Sequence, residues 1–374
     1  MGRPIQTKTV QNSQIVASTA PITTAAPSPF QLTNPFPVGD IVYQDLNFRL
    51  SGNINTATGG GATVVDGGLQ FIRALYFSTP QHNMIVEGVD GILLHDMQTV
   101  EQGKEPIHDD VQNTAAGATD TFEYYLKLRF KDLESFNAED LGLDVLRSGQ
   151  PLLQMNLGVY SDFVSGGSAT DTLQVFTMET TLRMDPGPID PTFQAPREFM
   201  PYKGVLKYPI SATVAQQQIY LAFGDRIIKR LYVTQRNGST LARLANTIIG
   251  ANDTDRISLK INSNFPWFDR VEWIALQDQN ASDYGLDAMP VGVGVLDFVQ
   301  RILGGTQSRD GLVKVGGEAG AKLSDALSVL SKDQGTMELD VDVTSVSNGQ
   351  LWIGYDAVKI LPQGARRPAP QAKT

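Results

Sequence analysis

Three histidines, His82, His95 and His108, stand at equal intervals along the chain, and two are followed by acids: Asp96 after His95, Asp109 and Asp110 after His108. Imidazoles and carboxylates that converge in one pocket can hold a transition metal or move a proton. The spacing fits neither the two-histidine helix of a zinc protease nor a compact zinc module. Solvated His–Asp pairs at turns and strand ends are the commoner outcome, so no metal is expected. The neighbouring acids Asp109 and Asp110, or Glu139 and Asp140, could serve glycoside hydrolysis only at a set separation, which residues adjacent in sequence seldom provide.

The remaining chemistry is thin. The chain has no cysteine, which removes disulfides, thiol nucleophiles and thiolate metal sites together. There is no GxSxG elbow and no Walker loop. The Gly59–Gly61 run lacks the lysine and helix that a phosphate loop needs. Asn237, Asn252 and Asn280 fit the glycosylation acceptor pattern, but no secretory leader is expected, because Arg3 is not followed by an apolar block. No catalytic residue, cofactor or metal is expected, and synthesis is expected in a cytoplasm.

Charge is distributed unevenly. Residues 1–39 carry Arg3 and Lys8 with no acid, and residues 363–374 carry Arg366, Arg367 and Lys373 with no acid. These tails sum to +5, so the formal net charge of −10 leaves −15 on residues 40–362. An acidic body is a poor partner for phosphates, which excludes sequence-specific nucleic-acid binding as the expected role. No stretch approaches the roughly 18 apolar residues of a membrane helix.

The elements follow from periodicity. Residues 1–39 are rich in Thr, Ala, Ser, Gln and Pro, predicting a flexible arm that Phe30 and Phe36 could anchor to a neighbouring surface. From Asp40, Val42, Leu46, Phe48 and Leu50 alternate with polar residues, the period of a half-buried strand. Residues 69–79 and 83–95 predict further strands. The clearest follows, with Phe122, Tyr124, Leu126, Leu128 and Phe130 on one face and Glu123, Lys127, Arg129 and Lys131 on the other. Asn137 then caps a predicted helix over 138–147, and residues 152–163 and 172–184 predict strands.

Pro186, Pro188, Pro191, Pro196 and Pro201 make residues 185–201 an extended connector. Beyond it the plan repeats. Residues 203–214 and 225–235 predict strands, and Ile72, Arg73, Leu75, Tyr76 and Phe77 correspond to Ile228, Lys229, Leu231, Tyr232 and Val233 at an offset of 156. Residues 257–261 and 270–277 predict strands around an apolar loop at Phe265–Phe268. Helices are predicted from Val293 and from Glu318, and a hairpin turns at Asn348-Gly349 between residues 337–343 and 351–361.

The reading is all-β: two tandem eight-stranded jelly-roll sandwiches with a few short helices in the loops. Its boundaries are an arm at 1–39, a first roll at 40–184, the connector at 185–201, a second roll at 202–362 and a basic tail at 363–374. This order and length over 40–362 resembles the double jelly-roll major capsid proteins of tailless icosahedral viruses, including membrane-containing bacteriophages. The resemblance rests on architecture and carries no diagnostic motif.

What it implies is a structural role with no catalysis. The chain would form a homotrimer whose six sandwiches make a pseudo-hexagonal capsomer tiling an icosahedral shell in the virion. Its partners would be neighbouring capsomers, penton and minor capsid proteins, with an internal lipid membrane as a further candidate. Arg3, Lys8, Phe30, Phe36, Arg366, Arg367 and Lys373 would be assembly-arm residues. The rival from another class is a glycan-binding or glycan-cleaving pair of jelly rolls, which predicts Trp267, Trp273 or Trp352 exposed beside carboxylates. A spike or other virion component is the second rival. A tailed-phage capsid fold is disfavoured because no helical pattern exceeds about 15 residues.

Overall fold

A computed structural model of the chain describes residues 6–12, 16–18, 28–31, 42–57, 61–82, 84–130, 143–144, 149–166, 172–185, 199–223, 226–261, 265–298 and 337–360. The chain forms two compact units, one of residues 1–95, 106–201 and 360–374, the other of residues 96–105 and 202–359.

The first unit contains β1 (Gln6–Asn12), β2 (Ser28–Gln31), β3 (Val42–Thr56), β4 (Ile72–Ser78), β5 (Val86–Val89), β6 (Ala118–Arg129), β7 (Leu152–Leu157) and β8 (Thr172–Asp185). Four strands follow one another as β5-β4-β7-β2, and a second sheet places β3 between β8 and β6, with β1 added outside β8. The strands β3 and β6 pair without a break from Asp45↔Arg129 to Thr56↔Ala118. That register aligns their apolar sets on one face: Leu46, Leu50 and Ile54 with Phe122, Tyr124, Leu126 and Leu128, all buried. Leu75 and Phe77 of β4 and Leu153, Met155 and Leu157 of β7 are buried too. Each such side chain contributes about 1.5–3 kcal/mol by leaving water.

The second unit contains β9 (Phe199–Pro209), β10 (Val214–Leu221), β11 (Ile227–Asn237), β12 (Arg256–Ile261), β13 (Phe265–Glu272), β14 (Val293–Asp297), β15 (Met337–Val343) and β16 (Gly349–Ile360). One sheet runs β14-β11-β16-β9 and the other β10-β15-β12-β13. Apart from the β12–β13 hairpin, successive strands alternate between the two sheets, which is the wrapped order of a jelly roll. Leu231, Val233, Leu351 and Ile353 from one sheet and Ile257, Leu259, Leu339 and Val341 from the other supply a buried apolar core.

The two orders match. In the first unit β5-β4-β7-β2 corresponds to β14-β11-β16-β9, and the neighbours β3 and β6 correspond to β10 and β15. The hairpin β12–β13 has no strand counterpart among the described residues, because the short stretch from Thr79 to Ile85 links β4 to β5. On this mapping β4 and β11 occupy equivalent places, which is where the sequence offset of 156 aligns Ile72 with Ile228.

Several expectations are corrected. The arm over 1–39 is not all without regular structure: β1 pairs with β8 from Gln6↔Met184 to Asn12↔Met178, Val16–Ser18 pairs with the same strand, and β2 pairs with β7. The predicted strand over 83–95 stops at Val89, and helix α1 (Gly91–Gln102) follows. There Asp90 Oδ1 accepts the Leu93 N–H at 2.7 Å, a capping bond at the start, and Gly103 has φ 63 just past the end. Likewise the strand predicted over 270–277 ends at Glu272, and helix α2 (Trp273–Tyr284) closes on Gly285 at φ 66.

The helix predicted from Val293 is instead β14, held by pairing with β11 from Arg230↔Asp297 to Thr234↔Val293. Phe265–Phe268, expected as a loop, begins β13. Of the helix predicted over 138–147, Leu143–Asp144 is a strand paired with Val42 and Tyr43, and the rest lies outside the described residues. The helix predicted from Glu318 also lies outside them. Pro201 sits within β9 and is buried, so the end of the proline stretch is strand, not connector.

Candidate functional site

Of the predicted assembly residues, two fall on described strands. Lys8 lies in β1 opposite Leu182, and Phe30 lies in β2 opposite Met155. Arg3, Phe36, Arg366, Arg367 and Lys373 lie outside the described residues. Both placed residues therefore occupy strands added to the first unit's sheets.

The outward face of the first unit's larger sheet is polar. Arg49 and Tyr125 are opposite one another across β3 and β6, and both meet the Glu123 carboxylate: Arg49 by an ion pair, Tyr125 by donating its O–H at 2.7 Å. The Tyr125 hydrogen bond and the Arg49 charge together hold Glu123 below the usual carboxylate range. Val65 and Ile107 in the same unit are the most exposed large apolar side chains among the described residues, at 78% and 72%. In the second unit Tyr220, Ile274 and Val291 are exposed. Scattered apolar residues of this kind need no ligand.

The second unit's edge strand β10 is shaped against open pairing. Gln216 takes φ 62 at a register shift between Val214 and Gln217, and its N–H is accepted by Asp342 Oδ1 at 2.8 Å. A bulged, polar edge blunts sheet-to-sheet aggregation. The β14-β11-β16-β9 sheet carries a buried ionic layer. Lys203 meets Glu101 at 2.5 Å, Lys229 meets Asp356 at 2.8 Å, and Arg230 meets Asp297 at 3.0 Å. Asp96 is fully buried between Arg236 and Arg243. Charges withdrawn from water in this way need every partner in place.

The histidines divide. His82 belongs to a turn closed by Thr79, whose hydroxyl accepts the His82 N–H at 3.1 Å. His95 on α1 and His108 on the short strand His108–Asp109 come together, ring centroids 5.6 Å apart and planes at 88°. His108 pairs across the sheet with Tyr124, and the rings lie parallel within 8°. The Tyr124 hydroxyl accepts the Gly68 N–H at 3.0 Å and donates to Asp110. Burial, reinforced by the Asp110 carboxylate, pushes that hydroxyl far above its ordinary pKa. Equal sequence spacing offers no reason to separate His82 from the other two.

Of the tryptophans the glycan rival named, two have a described environment. Trp273 and Trp352 are buried, with Trp273 Nε1 donating to Asn246 at 2.9 Å and Trp352 Nε1 to Gln350 at 2.9 Å. Trp267 lies in β13. Glu139 and Asp140 lie outside the described residues.

No protein-family model and no curated protein matches the chain. Solved structures do. The STIV MCP, from Sulfolobus turreted icosahedral virus, is similar with a TM-score of 0.65 at 15% identity, covering 95% of this chain and 97% of that one. The major capsid protein P2 of bacteriophage PM2 aligns with a TM-score of 0.53 at 11% identity, over 96% of this chain and 99% of that one. The PBCV-1 virus capsid model gives 0.58 at 13% identity, over 96% and 94%. The fold is the double jelly roll. Matching strand orders in the two units and near-complete coverage in both directions leave neither roll as an appended domain. At 11–15% identity the fold is shared with few residues in common.

Proposed function

We propose that this chain is a major capsid protein: it assembles with copies of itself into capsomers that tile an icosahedral shell, and transforms no substrate. The observation that carries this reading is the duplication. Two rolls of matching strand order stand in one chain, which aligns over nearly its whole length with capsid proteins of three viruses. A trimer of such chains has six rolls about its threefold axis, so its outline is nearly hexagonal and can tile. That gives a geometric use to a repeat that would be idle in a monomer.

Buried trimer interfaces of about 2,000 Å² or more per contact would stabilise a chain that lacks disulfides. The basic segments at 1–5 and 363–374 carry the contacts below the shell, to neighbouring capsomers, penton or minor capsid proteins, or to an anionic membrane surface at about 1 kcal/mol per Lys or Arg. The acidic body stays clear of the genome. Virion location and assembly after synthesis in a host cytoplasm follow from the same reading.

Size-exclusion chromatography with light scattering tests it. The expected species is a trimer at three times 40.6 kDa, with hexagonal particles in negative-stain images. A stable monomer at micromolar concentration would overturn the proposal.

A further inference from the structure

We infer that the first unit holds a transition-metal site, with ring nitrogens of His95 and His108 as ligands and the Asp110 carboxylate beside them, for an ion of the zinc class. The ligand nitrogens of His95 and His108 lie within 4.8 Å of one another. One zinc ion bonded to both at about 2.0–2.1 Å would bring them to within about 4 Å.

The tautomer of His108 points the same way. Its Nδ1 lies 3.2 Å from the Pro106 carbonyl oxygen and donates to it, which leaves the lone pair of the neutral ring on Nε2. That nitrogen faces Asp110 Oδ2 at 3.8 Å. A lone pair and a carboxylate oxygen confronting each other repel unless a cation lies between them. A metal ion between them meets that need, and His95, one of whose ring nitrogens lies within 4.8 Å of a His108 ring nitrogen, offers it a second imidazole.

The surroundings are those of an oriented ligand set. The other oxygen of Asp110 is engaged by the Tyr124 hydroxyl, itself anchored on the Gly68 amide, and the Tyr124 ring lies parallel to His108. Outer-shell hydrogen bonds of this kind fix ligand rotamers and raise affinity. His95 is buried, while the side chain of His108 is 25% exposed, so an ion has a route in. Imidazole and carboxylate ligands without thiolate suit Zn²⁺, Co²⁺ or Ni²⁺ and disfavour Mg²⁺.

The test uses the full chain, stripped with chelator and titrated with Zn²⁺ by calorimetry and with Co²⁺ by visible absorption. One equivalent per chain is expected, with Mg²⁺ in excess failing to compete. His108→Ala should weaken Zn²⁺ binding at least tenfold, and His82→Ala should leave it unchanged. X-ray absorption on the wild-type cobalt protein should count two imidazole ligands, a readout that stands even where a variant fails to fold. No saturable binding, fewer than two imidazoles, or undiminished affinity in folded His108→Ala would each overturn the site.

Discussion

At the scale of single residues, Glu123 shows how a surface sheet face tunes a carboxylate. Tyr125 donates to it, Arg49 pairs with it, and both favour the charged form. A carboxylate whose folded pKa lies below its unfolded value contributes stability that is fully present above the unfolded value, about 4.3, and is lost as pH falls through the lower folded one. In a carbon-detected NMR titration, Glu123 should therefore titrate below an ordinary glutamate, and its midpoint should rise in Tyr125→Phe. An unchanged midpoint would assign the shift to Arg49 alone. The next residue of the same strand, Tyr124, requires glycine at position 68, because a Cβ on Gly68 would lie 1.8 Å from the tyrosine ring. The tyrosine that closes on Asp110 thus depends on a missing side chain in a distant part of the sequence.

Among the elements, α1 is defined by its ends and by what its second half touches. Asp96 accepts from both Arg236 and Arg243 with no exposed surface of its own. Asp96→Asn removes a buried negative charge and leaves two guanidinium groups facing a neutral amide. The expected loss is about 3–5 kcal/mol, measured as a lowered urea midpoint. A loss under about 1 kcal/mol would mean that the arginines find other acceptors. The strands β1 and β2 make a second element-scale prediction. Because β1 pairs along β8 and β2 along β7, deleting residues 1–31 uncovers two strand edges. That deletion should lower the melting temperature and promote aggregation, whereas deleting 363–374 should leave melting unchanged and impair only particle formation. Equal melting curves for both truncations would show that β1 and β2 add nothing to stability.

For the whole molecule, assembly and stability are linked by mass action. A trimer that forms from folded chains only is stabilised by its own concentration. Calorimetric melting of the purified protein should shift upward as concentration is raised from about 1 to about 100 μM, and a concentration-independent melt would place the stability within each chain. The absence of cysteine leaves packing and association as the available sources, in a chain whose body carries −15 by formal count. Like-charge repulsion over such a body weakens with added salt, so the trimer should resist salt better than any contact made by its basic tails.

The alternation of Phe122, Tyr124, Leu126 and Leu128 is decisive by itself, because a period of two admits one buried face and no other arrangement. The repeat at an offset of 156 is weak alone, because apolar strands resemble each other by chance, and it takes its meaning from the matching strand orders. Helix α1 is less legible: Ile92, Leu93 and Leu94 are apolar in either state, and only the Asp90 cap and Gly103 distinguish them. Strand β14 runs the other way, since its pairing with β11 overrides a helical pattern that continues beyond it. In the arm, composition measures only whether a segment can fold alone, and β1 and β2 have edges to join. Which histidines meet is likewise a tertiary matter. A short strand in register with β6 brings His108 beside the helix that begins at Gly91, and no local preference encodes a distance through space.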